Sequence, residues 1–413
     1  MKKTKLIVLV ATVLLLLVIG FIGCSSNATT TTTSTTPPQT TSKTVTTTAQ
    51  VTTNPPTTAP VTTAPTQTTA PATGAKGNPT PLTVIAQQIS LNGAGGTFIA
   101  PLATKWFSEY FYVSGAKVNY AAVGSGAGIN QVTAGTVDFG ESDAIMTDAQ
   151  QKAAEDAGGP MLHIPLTAGP VAIIYNLTGI PSGQIKLTGD VLAKIYLKTI
   201  TKWNDPAITA LNPGLNLPNT PIAVVHRSDG SGTTYIFTSY LSKVSSDWNT
   251  KIGFATAVNW LGDIGGTGSA GIAGAVQQTP GSIGYVDVAY ADQNNLPWVL
   301  LQNSSGVYKG PTLPGTTAAM TGITLPDDMR IMITNSNNPD AYPICGFTWG
   351  LVYVNQKDLV KGQTLVNMLW WAIHDGQQFS AALDYAPLSK DAVTKAENEI
   401  LSIKYNGKAL LTR

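Results

Sequence analysis

The chain predicts an α/β architecture of two lobes with a cleft between them, and three observations carry that expectation. From Leu82 onward, strand-like apolar runs alternate with stretches whose apolar residues recur at helical spacing. At 413 residues the chain is long enough for two or more domains. Three strand-to-helix junctions also share one build, in which an apolar strand runs through glycines into a hydroxyl residue that opens a helix. Such junctions suit a site at a domain interface.

The N-terminal residues are not part of that body. Met1-Lys2-Lys3-Thr4-Lys5 precedes an apolar run from Leu6 to Ile22 and then Gly23-Cys24-Ser25-Ser26, which reads as an export signal. It resembles a bacterial lipoprotein signal (residues 1–24), in which Cys24 is diacylated and becomes the mature N-terminus. Phe21 departs from that pattern, which has an aliphatic residue three places before the cysteine. An uncleaved anchor is the other reading, since about 17 apolar residues are at the short end of a membrane span. Both readings place the body outside the cytoplasm. Residues 25–80 are almost entirely Thr, Pro, Ala, Ser and Gln. They lack the apolar residues that offset chain entropy, so a disordered tether is expected. Roughly 50 such residues at ~3.1 Å each span on the order of 150 Å when extended.

Composition excludes several classes of function. Net charge is +1 and charged residues make up 11% of the chain, so neither a nucleic-acid surface nor a polyacidic partner is indicated. The chain has 2 cysteines. With Cys24 acylated no internal disulfide is possible, and a packed core must hold the fold. Cys345, in Pro343-Ile344-Cys345-Gly346-Phe347, reads as an inert core thiol.

Within the body, the central junction is Val224-Val225-His226-Arg227-Ser228-Asp229-Gly230-Ser231-Gly232-Thr233. A helix follows it with Ile236, Phe237, Tyr240, Leu241 and Val244 on one face. Its first turn offers free N–H groups, hydroxyls and the positive end of the dipole, and Arg227 adds a planar cationic fork. That combination suits an anion; an ordinary capped helix is the plainer reading of this turn taken alone. The same build recurs at Ile89 to Phe98, ahead of Leu102, Trp106, Phe107 and Tyr110. It recurs again at Val118 to Gly128, ahead of Ile129 and Val132. Between and after these lie an acidic strand tip (Thr136 to Asp143), a polar helix (147–157) and an apolar strand (170–175). A helix over 188–196, a glycine-rich stretch (262–274), an apolar strand (347–354) and an apolar helix (363–374) follow. Three junctions without a phosphate-loop lysine suggest several helix N-termini converging on one small anion.

Five segments together resemble the phosphate-binding subunit of the bacterial ABC-type phosphate importer. They are Gly93-Ala94-Gly95-Gly96-Thr97-Phe98, Val137 to Asp143, Lys202-Trp203-Asn204-Asp205, Arg227 to Thr233, and Gly281-Ser282-Ile283-Gly284-Tyr285. The resemblance runs in that family's order from about Ile89 to the C-terminus. It implies the two-lobed periplasmic-binding-protein (type II) fold, with lobe one from 81–166 plus 345–413 and lobe two from 167–344. It further implies that phosphate is held by Thr97, Phe98, Ser125 and Asp143 from one lobe and by Arg227, Ser231, Gly232 and Thr233 from the other. Asp229 is placed to orient Arg227. Gly126 and Ala127 depart from the family, where a second Ser follows Ser125; His226 stands where a basic residue is common and is expected to face solvent. The implied partners are inorganic phosphate, the permease and ATPase of an importer, and the membrane through the lipid anchor, with the protein a monomer and no cofactor.

Asp143 has a physical reading of its own. A carboxylate aimed at an anion is repulsive unless a proton lies between them, and phosphate carries one at neutral pH where sulfate does not. The plainer reading is a cap on the following turn, as it is for Ser125 and Thr97. An enzyme is disfavoured: Ser231 lacks a nucleophile-elbow pattern, and His163, His226 and His374 form neither a triad nor a metal-ligand spacing. A binding protein for another oxyanion and a phosphate-sensing surface lipoprotein remain as alternatives.

Overall fold

The computed structural model describes residues 89–412; the signal, Cys24, the tether and residues 81–88 lie outside the described residues. The chain runs β1 (Ser90–Gly95), α1 (Ala100–Ser114), β2 (Lys117–Ala122), α2 (Ser125–Thr133), β3 (Phe139–Ser142), α3 (Asp148–Gly158) and β4 (Met161–Tyr175). It continues through β5 (Lys186–Leu187), α4 (Gly189–Tyr196), α5 (Pro206–Thr209), β6 (Ala223–Arg227), α6 (Gly232–Val244) and α7 (Ser246–Lys251). Next come β7 (Ile264–Gly266), α8 (Gly268–Gln278), β8 (Ser282–Asp287), α9 (Val288–Gln293), β9 (Leu300–Gln302), β10 (Tyr308–Lys309) and α10 (Leu313–Met320). The return consists of β11 (Cys345–Tyr353), β12 (Asn355–Gln356), α11 (Leu359–Ile373), two 3-10 turns, α12 (Lys390–Leu401), β13 (Lys404–Tyr405) and β14 (Lys408–Ala409).

The expected α/β alternation builds one curled sheet of eight strands, ordered β2-β1-β3-β11-β4-β8-β6-β7. At one end β2, β1 and β3 are mutually parallel, and at the other β8, β6 and β7 are parallel. Between them β11 and β4 run antiparallel to each other and to their outer neighbours. β4 spans the two halves: residues 161–170 pair with β11, and Val171 to Tyr175 pair with β8. The lobe boundary expected at 166/167 falls inside this strand. The sequence suggested only 170–175; Pro165 and Pro170, which lack the N–H that a strand interior needs, argue locally against a longer strand. Each proline is accommodated by position. Pro165 sits beside a register shift in the β11 pairing, and Pro170 stands where one partner strand ends and the other begins.

The core forms along both faces of this sheet. The larger apolar cluster takes in Trp106, Trp203, Trp248 and Trp349, all essentially buried, and a smaller one sits around Ile174, Val225 and Ile272. Cys345 is buried within the larger cluster, and burial pushes its thiol up to about 12. Helix starts follow the capping rule with an instructive exception. Among the described residues nine of the twelve α-helices open on a Ser, Thr or Asp whose side chain accepts a first-turn N–H. The three that do not are α1, α2 and α8. All three point their N-termini at the same place.

Candidate functional site

That place is where the tips of β1, β2, β3 and β6 meet. The turn after β1 carries Thr97 and Phe98, the start of α2 carries Ser125, the residue after β3 is Asp143, and β6 ends on Arg227. The start of α6 supplies Ser231, Gly232 and Thr233. All of these residues are buried. Close approach is built into the glycines. A Cβ at Gly232 would collide with Ser125 Oγ and stand 2.5 Å from Asp143 Oδ2, and one at Gly96 would stand 2.9 Å from the same oxygen. Gly124, at φ +91°, makes the turn into α2 and passes beside Asp229. The Gly126 N–H donates to Gly230 O at 2.9 Å, joining the α2 start directly to the central turn. A Cβ at Gly126 would press on Gly230 Cα at 3.1 Å, which gives the departure from the expected second Ser a steric meaning.

The donors are the telling part. The main-chain N–H groups of Thr97, Phe98, Ser125, Gly232 and Thr233 meet no acceptor among the described residues. Buried N–H groups are rarely left so, because each unpaired one costs about 1–3 kcal/mol. A small anion at their focus cancels that cost and gains from the helix dipoles. Ser231 differs in detail from the expectation: its hydroxyl accepts the Thr234 N–H at 3.0 Å and caps α6, which leaves its O–H as the group free to donate elsewhere.

Charge is fixed by two side chains facing this focus. Arg227 is buried and bidentate to Asp229, Nε to Oδ1 at 2.7 Å and Nη2 to Oδ2 at 2.5 Å, with Nη1 3.5 Å from Thr233 Oγ1. Burial alone would raise the Asp229 carboxyl, but the Arg227 guanidinium and the Gly268 N–H (3.1 Å) hold it below its ordinary value. Asp143 is the opposite case. Burial pushes it up to about 6, against the pull of hydroxyl donors from Thr348 (2.5 Å to Oδ1) and Ser125 (3.3 Å to Oδ2) and of the more distant Arg227. Its own N–H also donates to Ser125 Oγ at 3.1 Å. Neither Ser125 nor Thr97 caps a helix with its side chain.

Several residues that hold this constellation were not apparent from sequence. Thr348, in the middle of the apolar strand β11, fixes Asp143. Ser269, at the start of α8, donates its N–H to Thr97 Oγ1 at 3.1 Å, and the two hydroxyls lie 3.0 Å apart. The uncapped first turn of α8 therefore serves Asp229 and Thr97 instead of its own cap. Tyr285 accepts the Arg227 N–H at 3.1 Å, shares a 2.6 Å bond with Thr234 Oγ1 and stacks on Phe237 at 4.4 Å. Tyr385 donates to Phe98 O at 2.5 Å and packs edge-on against its ring. A hydroxyl inside an otherwise apolar strand is the one sequence signal for Thr348. The expectation for His226 is corrected: it is half-buried, stacked 5.1 Å from Trp260, because the loop bearing Trp260 folds over β6.

One expected result follows from the glycine geometry. Gly232→Ala should keep the fold at a cost of about 1–3 kcal/mol, since the backbone there suits any residue but the methyl group overlaps Ser125 Oγ and Asp143 Cβ in a buried site. It should nevertheless weaken anion binding by at least tenfold, because the new methyl group occupies the space between Ser125 and Asp143. Calorimetric titration alongside a melting curve measures both.

A model of the PBP superfamily domain matches residues 29–363. The chain is 40% identical over 325 residues to the phosphate-binding protein PstS of Xylella fastidiosa strain 9a5c, covering 78% of this chain and 88% of that protein. It is 39% identical over 316 residues to the protein of the same name from Haemophilus influenzae, covering 76% of this chain and 93% of the relative. Among solved structures, a phosphate-binding protein from Stenotrophomonas maltophilia matches with a TM-score of 0.58 at 18% identity, over 75% of this chain and 94% of that one. That likeness establishes the α/β periplasmic-binding-protein fold. On the family match and these relatives, the chain belongs to the PstS family of phosphate-binding proteins within the PBP superfamily.

Proposed function

We propose that this chain captures inorganic phosphate outside the cytoplasmic membrane and hands it, chemically unchanged, to an ABC-type import permease. The observation that carries this reading is the set of five buried, unpaired main-chain N–H groups gathered around Arg227 and Asp143. Neutral dipoles and one guanidinium suit a dehydrated oxyanion, and Asp143 accepts a hydrogen bond from a protonated one. Thr97, Phe98, Ser125 and Asp143 serve from one side, Arg227, Ser231, Gly232 and Thr233 from the other, with Asp229 orienting Arg227. The lobes are residues 81–166 with 345–413, and 167–344, moving about the strands β4 and β11. Ligand contacts to both lobes stabilise closure, and the closed form docks on the permease. No nucleophile, metal or cofactor is needed, so the protein acts as a binding subunit and not an enzyme. Cys24 carries the lipid anchor, residues 25–80 tether the body to the membrane, and the protein works as a monomer.

Calorimetric titration of the ligand-stripped full-length chain in detergent tests the reading. Tight phosphate binding with sulfate rejected supports it; a folded, stripped preparation that fails to bind phosphate overturns it.

A further inference from the structure

Behind the anion site lies a second carboxyl group that the phosphate reading leaves without a role. Glu141 sits on β3, two residues before Asp143, and is 1% exposed. Its Oε2 has no hydrogen-bond partner among the described residues, and no Lys, Arg or His there pairs with it. The side chain meets the hydroxyl of Tyr120, from β2. That hydroxyl in turn lies 2.9 Å from Gly96 O, and the Glu141 carbonyl accepts the Gly96 N–H at 2.9 Å. Glu141 is thus fastened by main chain and side chain to the residue that precedes Thr97. Any charge it takes up is buried, unpaired and felt by Asp143.

We propose, on the reading that phosphate is the ligand, that Glu141 is an affinity-determining residue: the anion is held tightly only while this carboxyl keeps its proton. Burial, followed by the charge of Asp143, outweighs the Tyr120 bond and raises the Glu141 carboxyl to about 8. The ionisable groups around it are few. Tyr120 and Asp143 act on it directly; Tyr290, from α9, acts on Tyr120; Arg227, from β6, and the buried Asp287, at the end of β8, interact with Asp143. A nearby dianion favours the protonated form further, so the bound protein titrates at higher pH than the free one. The sign follows from linkage. Affinity is full below the free-state value, falls as pH rises through about 8, and binding there takes up a proton.

The experiment is phosphate titration by calorimetry on the full-length chain in detergent, across neutral to alkaline pH and in two buffers of different ionisation enthalpy. Wild type should lose affinity above about pH 8, with a slope approaching tenfold per pH unit, and should show proton uptake on binding. Glu141→Gln, neutral and nearly isosteric, should keep the neutral-pH affinity and flatten the alkaline decline. The wild-type proton count needs no variant, so a misfolded Glu141→Gln leaves the idea exposed to test. An unchanged decline in Glu141→Gln, or no proton uptake by wild type, overturns the Glu141 assignment alone. Absence of phosphate binding by wild type at neutral pH overturns the ligand reading and this inference with it.

Discussion

Arg227→Met is expected to weaken phosphate binding by roughly 30- to several-thousand-fold, the equivalent of losing about 2–5 kcal/mol from one buried charge partner. Arg227 is buried, held by Tyr285 through its main chain and by Asp229 through two of its five donors, so its fork is fixed before any ligand arrives. A fixed cation loses little conformational freedom on binding, which is what gives it a large share of the affinity. The substitution also reverses the local balance of charge. Asp229 loses the guanidinium that holds its carboxyl down and is left as an uncompensated anion beside the incoming ligand. Arg227→Lys separates the two effects. It keeps the charge but cannot bond Asp229 bidentately while also facing the ligand, so an intermediate loss is expected. Titration of the three proteins, with melting curves to confirm folding, decides the matter. Affinity within about threefold of wild type in the Met variant would remove Arg227 from the ligand shell.

How much of this was legible in sequence depends on the chain distance over which each part is assembled. The turns at Gly93 to Phe98, Gly124 to Gly128 and Arg227 to Thr233 were readable because strand, glycine, hydroxyl and helix periodicity are all local features. The Arg227–Asp229 pair was readable for the same reason, the partners being two residues apart. Thr348, Ser269 and Tyr385 were not, because they reach Asp143, Thr97 and Phe98 from 205, 172 and 287 residues away along the chain. Nothing in the neighbourhood of Thr348 says that its hydroxyl will face a carboxylate; only the antiparallel insertion of β11 between β3 and β4 does. The 15-residue β4 shows the converse problem. Its prolines argue locally against a long strand, and the register shift and the change of partner that tolerate them exist only in the folded sheet. Glu141 was visible as a letter in an acidic strand tip, but its isolation is a property of what packs around it.

Asp143→Asn should cost phosphate comparatively little and let sulfate in. A site built to pair a ligand hydroxyl rejects the analogue lacking it by about 10⁴, because a buried polar group is left facing nothing it can bond. In wild type that group is a carboxylate whose Oδ2 faces Gly96 and Gly232 and whose other oxygen is already engaged by Thr348. Sulfate brings no proton to share with it, and the two anions repel. The amide of Asn removes the charge and offers an N–H, so sulfate rejection should fall by about two orders of magnitude, measured by competition titration against phosphate. Wild type contains an internal control for the same idea. Burial sets the Asp143 carboxyl at about 6, so it is charged at neutral pH and increasingly protonated below that value. The repulsion is therefore present above about pH 6 and lost as pH falls through it, and wild-type sulfate affinity should rise on acidification while that of Asp143→Asn stays level. If sulfate is still rejected by the Asn variant and by acidified wild type, discrimination lies with the donors of the helix starts and not with this carboxylate.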